Sequence, residues 1–179
     1  MSQQFHTILR KTLVWGVTLF LFAVLQTSLV ARIAQAIPHG AVPDLLLAAV
    51  IAIAIFDGER TGAVAGIAAG FLAGALGGTG INLLPLVYML CGYVCGIWST
   101  MSLSANFASW CVYMLAAGVA RAAVTLVGVA LTYPDYGLVD VAARVLLPEF
   151  IATVAVSPAV YFPVRRVATL FNRRLKIPE

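Results

Sequence analysis

Residues 44–78 read DLLLAAVIAIAIFDGERTGAVAGIAAGFLAGALGG, two apolar runs separated by a charged turn. Asp44 is a favourable N-cap for the first run, which ends at Phe56. The second run follows the turn 57–60 and extends to about Leu76. Both runs are shorter than the roughly 17 to 25 residues of a typical spanning helix. The segment therefore predicts two helices that form either thin membrane spans or a re-entrant hairpin, and in both cases the chain returns to the side it left.

The composition also indicates a membrane protein. Apolar residue types make up 62% of the 179 residues, charged residues make up 10%, and the mean hydropathy is +1.00. An ordinary globular domain has about a quarter charged residues, so this chain has too little polar surface to face water. No linker or low-complexity stretch divides the sequence. We expect one all-α integral membrane domain over residues 1–179 and no soluble domain.

Four further segments are long and apolar enough to be membrane spans, at 12–31, 81–98, 107–131 and about 139–162. With the pair above they predict six transmembrane helices. The first is longer than the apolar core of a signal peptide, so we expect it to stay uncleaved. Pro148 and Pro158 interrupt the last segment, and each frees the backbone carbonyl four residues earlier. We expect that helix to be kinked or locally opened.

The basic residues predict the orientation, because Arg and Lys concentrate in short cytoplasmic flanks. Arg10 and Lys11 precede the first span, and five basic residues follow the last one, namely Arg165, Arg166, Arg173, Arg174 and Lys176. Six crossings then place both termini in the cytoplasm. Three tryptophans would lie at cytoplasmic helix ends as part of an aromatic belt, namely Trp15, Trp98 and Trp110.

The basic tail, residues 164–179, alternates apolar and basic side chains. This pattern suits a helix lying on anionic lipid at the cytoplasmic surface. The same residues would also serve simply to anchor and orient the last span. Both interpretations are open at the level of sequence.

A glycine occurs at every fourth position from Gly58 to Gly78. We call the central members of this series, Gly62, Gly66, Gly70 and Gly74, the glycine stripe. Spacing by four places them along one side of a helix, where the backbone of a neighbouring helix can approach closely. The stripe predicts a packing face, which we expect to lie within the fold rather than against another protein.

Arg121 and Glu149 are ionisable residues within predicted spans, where charges are costly and therefore candidates for function. Both lie ten residues from the outer end of their segments, about 15 Å deep. We expect them to form an ion pair inside the bundle, either functional or serving only to set the helix register. Two competing arrangements are open at this point. Arg144 could approach Asp44 or Asp140 near the outer end, and Glu149 could bond backbone groups freed by the prolines instead of Arg121.

Catalytic and metal-binding patterns are weak. Cys91 and Cys95 have the spacing of metal ligands, but no His or further Cys stands near them in sequence, so we interpret them and Cys111 as packing residues. The two histidines, His6 and His39, fall at membrane edges. We expect no enzyme activity, no cofactor, no metal site and no nucleic-acid partner.

Several motifs together resemble the rod shape-determining membrane protein family MreD. They are the stretches 25–28, 42–47 with Pro43 and Asp44, 58–66, 90–96, 146–149 with Pro148 and Glu149, and 161–163 followed by the basic tail. The resemblance spans most of the chain and implies a small six-helix subunit of the bacterial cell-elongation machinery. It also implies association with the shape protein MreC and with peptidoglycan synthases, a link to cytoplasmic actin-like filaments, and a fold similar to the S component of energy-coupling-factor transporters.

Three function classes follow from these observations. A non-catalytic scaffold fits the absence of a nucleophile, base and orienter pattern in the sequence. A vitamin-binding S component is the alternative, and it requires a cavity lined by several converging polar groups near the outer face. An intramembrane enzyme is the weakest hypothesis, since neither histidine lies within a span.

Overall fold

The computed structural model describes residues 2–30, 42–77, 83–101, 107–132 and 137–175, and every regular element in these ranges is helical. The six main helices are α1 (Ser2–Leu25), α2 (Leu45–Asp57), α3 (Glu59–Gly77), α4 (Leu84–Met101), α5 (Phe107–Thr132) and α6 (Leu147–Leu175). A π-helical turn, Gln26–Val30, extends α1. A short helix, Leu138–Val141, and a second π-helical turn, Ala142–Leu146, lead into α6.

The helices have the length and polarity of a membrane protein. Three helical segments are long and apolar enough to cross a bilayer, namely Leu9–Ser28, Phe107–Thr132 and Val139–Leu170. Two more apolar helices, Leu45–Asp57 and Leu84–Thr100, are shorter. In the described ranges the chain is thus all-helical, as the composition predicted.

Helix α2 is the centre of the fold and contacts all five other main helices. Every residue from Leu45 to Ile55 is buried, with at most 7% of its surface exposed. A helix that is apolar on all sides is stable where neighbouring helices surround it. At its end Gly58, with φ of 87°, allows the abrupt turn into α3. The apolar run 45–56 therefore forms the protein core and is not one arm of an isolated hairpin.

Gly62, Gly66 and Gly70 of the glycine stripe pack against α4, and all four members of the stripe are buried. A Cβ added at Gly62 would lie 2.7 Å from the carbonyl oxygen of Gly92, and one at Gly66 would overlap the carbonyl of Tyr88. The same close approach occurs at Gly70. The absence of side chains lets the two helix backbones touch, so the predicted packing face lies inside the fold.

Pro148 reshapes the start of α6, as expected. Upstream of it the backbone is π-helical, and the N–H of Leu147 bonds to the carbonyl of Ala142, five residues back. Proline has no N–H, and its ring collides with the carbonyl four residues earlier, here Arg144. The local opening takes the form of a π-helical turn.

Helix α6 then continues beyond the expected end of the last span near residue 162, through Pro158 and Pro163. The hydroxyl of Ser157 donates to the carbonyl of Val154 at 2.6 Å, and this is the carbonyl that Pro158 leaves without a helical donor. Val164 and Ala168 are buried in the core. The expected boundary between span and tail was wrong, because the first turns of the tail continue the buried face of α6.

The aromatic-belt interpretation was also wrong for two tryptophans. Trp15 and Trp110 are 6% and 0% exposed, whereas Trp98 is 49% exposed. Trp110 packs among aromatic rings, with its centroid 5.1 Å from that of Tyr161. A ring enclosed by protein does not face lipid, so these two residues pack in the core of the bundle and do not form an aromatic belt.

Candidate functional site

A buried polar cluster joins four helices at the end of α2 that begins with Asp44. It consists of Asp44, Tyr88, Arg121, Glu149 and Thr153, and we call it the Asp44 cluster. Tyr88 comes from α4, Arg121 from α5, and the last two from α6. Polar groups inside an apolar bundle are costly unless they satisfy one another, so the geometry of the cluster is informative.

Asp44 is the hub of this cluster and is only 2% exposed. Its Oδ1 accepts the N–H of Leu47 at 3.0 Å, which is the N-cap bond predicted from sequence. Its Oδ2 accepts a hydrogen bond from the hydroxyl of Tyr88. Its backbone N–H donates to Thr153 Oγ1 at 2.9 Å. One residue thereby connects the start of α2 to both α4 and α6.

Arg121 bridges two carboxylates. Its Nη1 donates to Glu149 Oε1 at 2.7 Å, so the structure places the expected pair in direct contact. Its Nε lies 3.1 Å from Asp44 Oδ2, a distance for an ion pair, although the N–H is not aligned for a hydrogen bond. The side chains of Arg121 and Glu149 are 22% and 19% exposed. The expected pair is therefore part of a triad with two acids and one base.

A side chain outside the Asp44 cluster also binds the start of α2. The side chain of Gln26, at the end of α1, accepts the N–H of Leu46 at 3.2 Å. The first N–H groups of a helix lack partners within the helix, and here two of them are bonded by side chains. The start of α2 is thus tied to α1 as well as to the Asp44 cluster.

The Asp44 cluster leaves little room for a ligand. A cavity that touches Arg121, Glu149 and Thr153 measures about 20 Å³ and is otherwise lined by Leu47, Gly118, Ala122, Leu146 and Phe150. Gly118 is part of its wall because the ring of Phe150 lies directly over it. This volume holds about one water molecule, whereas small-molecule sites usually measure about 300–1,000 Å³.

A second polar group lies at the opposite end of α2. Lys11 Nζ lies 2.6 Å from Asp57 Oδ1, and Trp15 Nε1 donates to Asp57 Oδ2 at 3.1 Å. Nearby, an aromatic cluster connects α2, α5 and α6 through ring centroids 5.1–6.1 Å apart, and its members are Phe56, Phe107, Trp110, Tyr161 and Phe162. Helix α2 is therefore held at both ends by contacts that side chains make with other helices.

The remaining predicted residues fall into three groups. Pro43 is buried beside Asp44, while Pro148 shapes the turn that presents Glu149. Arg144 pairs with Asp140 at 3.4 Å, with both side chains 74% exposed, and does not reach Asp44. In the basic tail, Arg165 and Arg166 are exposed on α6. Arg173 and Arg174 continue that helix, and Lys176 lies outside the described residues.

Sequence reasoning missed the roles of Tyr88, Gln26 and Thr153. Tyr88 stands in an apolar run and reads as a packing residue, so nothing local marks it as a donor to Asp44. Thr153 lies one helical turn after Glu149, a spacing that places both on one side of α6. That spacing was the feature of the sequence from which a role for Thr153 beside Glu149 could have been predicted.

Comparisons with the profiles of known families, with curated proteins and with solved structures gave no significant match to this chain.

Proposed function

We propose that this chain is a non-catalytic, multi-pass subunit of the bacterial inner membrane that acts as a scaffold in the cell-elongation machinery. In this role it links an MreC-like shape protein and peptidoglycan synthases to the cytoplasmic actin-like filament system. It crosses the membrane six times with both termini in the cytoplasm, in a fold similar to that of an S component. The proposal builds on the MreD-like motifs and on the geometry of the Asp44 cluster.

The observation that carries the proposal is that residues from three MreD-like motifs meet around the start of α2. Asp44, Glu149 and Gln26 belong to three of those motifs, which are far apart in sequence. Gln26 accepts an N–H from the first turn of α2, Asp44 bonds Thr153 of α6, and Glu149 bonds Arg121 of α5. In this network one cation, Arg121, lies in direct contact with two anions, Asp44 and Glu149, and there is little free volume. Such a network favours a fixed bundle, which is what a scaffold needs in order to present constant surfaces to its partners.

The proposed orientation rests on the end of the bundle that contains Asp57. Lys11 contacts Asp57, and Arg60 follows in the first turn of α3. Tyr161 contacts Phe56 at the same end, and Arg165 and Arg166 come one turn after Tyr161. Basic residues from three helices thus gather at one face, which we place in the cytoplasm by the positive-inside rule.

The proposal is tested by depleting the protein in its bacterial host and by purifying the tagged chain from membranes in a mild detergent. We expect depleted cells to become round. We also expect quantitative mass spectrometry to recover an MreC-like protein and peptidoglycan synthases, relative to a tagged membrane protein of similar size as the control. Normal cell shape together with recovery of two ATPases and a large membrane coupling protein would overturn the proposal in favour of a vitamin transporter.

A further inference from the structure

We propose that the groove between α1 and α3 is a binding site for an anionic phospholipid, with the headgroup between Lys11 and Arg60. This inference does not depend on the scaffold role, but it rests on the membrane orientation proposed above. The groove has a volume of about 420 Å³ and is lined by residues of these two helices, namely Lys11, Thr12, Trp15, Gly16, Leu19, Arg60, Thr61, Val64, Ala65 and Ala68.

The groove is polar at one end and apolar along the rest of its length. Lys11 and Arg60 stand at the mouth, while Leu19 and Ala68 line the far end. Each helix advances eight residues between these points, about 12 Å. One leaflet of a bilayer has a hydrocarbon depth of about 15 Å, so the groove matches the length of a lipid that enters from the basic face.

The mouth of the groove carries two cations, Lys11 and Arg60, and Lys11 is ion-paired with Asp57. Asp57 accepts Lys11 and Trp15 on its two oxygens, which fixes the ammonium beside the indole. An ammonium has three N–H donors, so Lys11 keeps donors for a phosphate. Arg60 is exposed at the start of α3, whereas Glu59 lies against Gly96 of α4, on another side of the helix. The cations therefore line the groove, and Glu59 does not.

We assign the second acyl chain of the phospholipid to a second hollow. It measures about 320 Å³ and runs along α1, lined by Leu9, Thr12, Leu13, Gly16, Val17 and Phe20. The two hollows share Thr12 and Gly16. At Gly16 an added Cβ would meet nothing within 4 Å, so no side chain separates the two hollows at this position. One headgroup at the mouth can thus place one chain on each side of Gly16.

The test is native mass spectrometry of the purified, delipidated protein titrated with phosphatidylglycerol or phosphatidylcholine. We expect the wild-type chain to bind phosphatidylglycerol more tightly. Arg60→Gln should weaken that binding about fivefold, as expected for one basic residue at a membrane surface. Arg10→Gln is the matched control, because Arg10 is adjacent to Lys11 but does not line the groove. Equal losses of phosphatidylglycerol binding in the two variants would show that binding depends only on the overall positive charge of this end, and would overturn the proposed site.

A steric variant separates lipid from a protein occupant. Gly16→Leu should fill the space between the hollows and reduce bound phosphatidylglycerol, while Gly128→Leu on α5, where an added Cβ also meets nothing within 4 Å, should not. Size-exclusion profiles of both variants establish that they fold. If Gly16→Leu leaves lipid binding unchanged but removes a co-purifying membrane protein, the groove holds a helix of that partner and the lipid proposal is wrong.

Discussion

Arg121→Met is the change that most directly tests the energetics of the Asp44 cluster. It removes the cation that lies 3.1 Å from Asp44 and 2.7 Å from Glu149, and leaves two carboxylates inside the bundle. Breaking a buried pair by removing one partner costs about 3–5 kcal/mol. Because Arg121 has two acidic partners, we expect a loss near the upper end, about 5 kcal/mol.

Neutralising the carboxylates should restore stability in steps. Arg121→Met with Glu149→Gln removes one of the uncompensated charges and should recover roughly half of the loss. Adding Asp44→Asn removes the second charge while keeping an amide oxygen as N-cap for Leu47, since Asn caps helices about as well as Asp. We expect this triple variant to be more stable than the double variant but to stay about 1–3 kcal/mol below wild type, because the Asn amide nitrogen cannot accept the Tyr88 hydroxyl. A simple Arg121–Glu149 pair would instead predict full recovery in the double variant.

The measurement is reversible unfolding in mixed micelles with increasing SDS, followed by circular dichroism. Arg144→Met serves as the control, because Arg144 and its partner Asp140 are both 74% exposed and should contribute little. The reasoning fails if Arg121→Met is as stable as wild type. It also fails if the triple variant is no more stable than Arg121→Met alone, since the loss would then come from packing and not from uncompensated charge.

Three further changes test other parts of the fold. Gly66→Leu should destabilise the protein by about 3 kcal/mol or more in the same assay, because its side chain would collide with the α4 backbone, and a loss no larger than that of Gly128→Leu would contradict the packing of the glycine stripe. Tyr88→Phe removes the donor to Asp44 and should cost about 1.5–3 kcal/mol, and an unchanged unfolding curve would show that this bond contributes nothing. Reporter fusions should read cytoplasmic at Glu179 and external at Tyr136, and a cytoplasmic signal at Tyr136 would exclude the six-span topology.

Much of the fold could be predicted because the hydrophobicity of a segment and the helical spacing of its residues are local properties of the sequence. The apolar runs, the N-cap at Asp44 and the disturbance upstream of Pro148 follow from neighbours in sequence. The glycine stripe also has a local signature, since spacing by four places small residues on one side of a helix. The expected meeting of Arg121 and Glu149 rested on equal depth in adjacent spans, a simple geometric rule.

What the sequence could not determine was which side chains meet across non-adjacent helices. Tyr88 and Asp44 are 44 residues apart, and Thr153 and Asp44 are 109 residues apart. Several arrangements of six apolar helices bury similar areas, because burial of apolar surface has no direction. The expected end of the last span was wrong for the same reason, since Val164 is apolar in either environment and only packing against the core shows that α6 continues.

By itself, then, the sequence determined an all-helical chain with segments long and apolar enough to cross a membrane, the approximate positions of its helices, and the presence of two ionisable residues at equal distance from the ends of their segments. Only the tertiary structure decided that α2 is the central helix, that Asp44 makes the ion pair into a triad, and that Trp15 and Trp110 are buried. The physical reason is that hydrophobicity and helical spacing act between residues close in sequence. Hydrogen bonds and ion pairs require particular atoms within about 3 Å of each other, and only the packed bundle sets those distances.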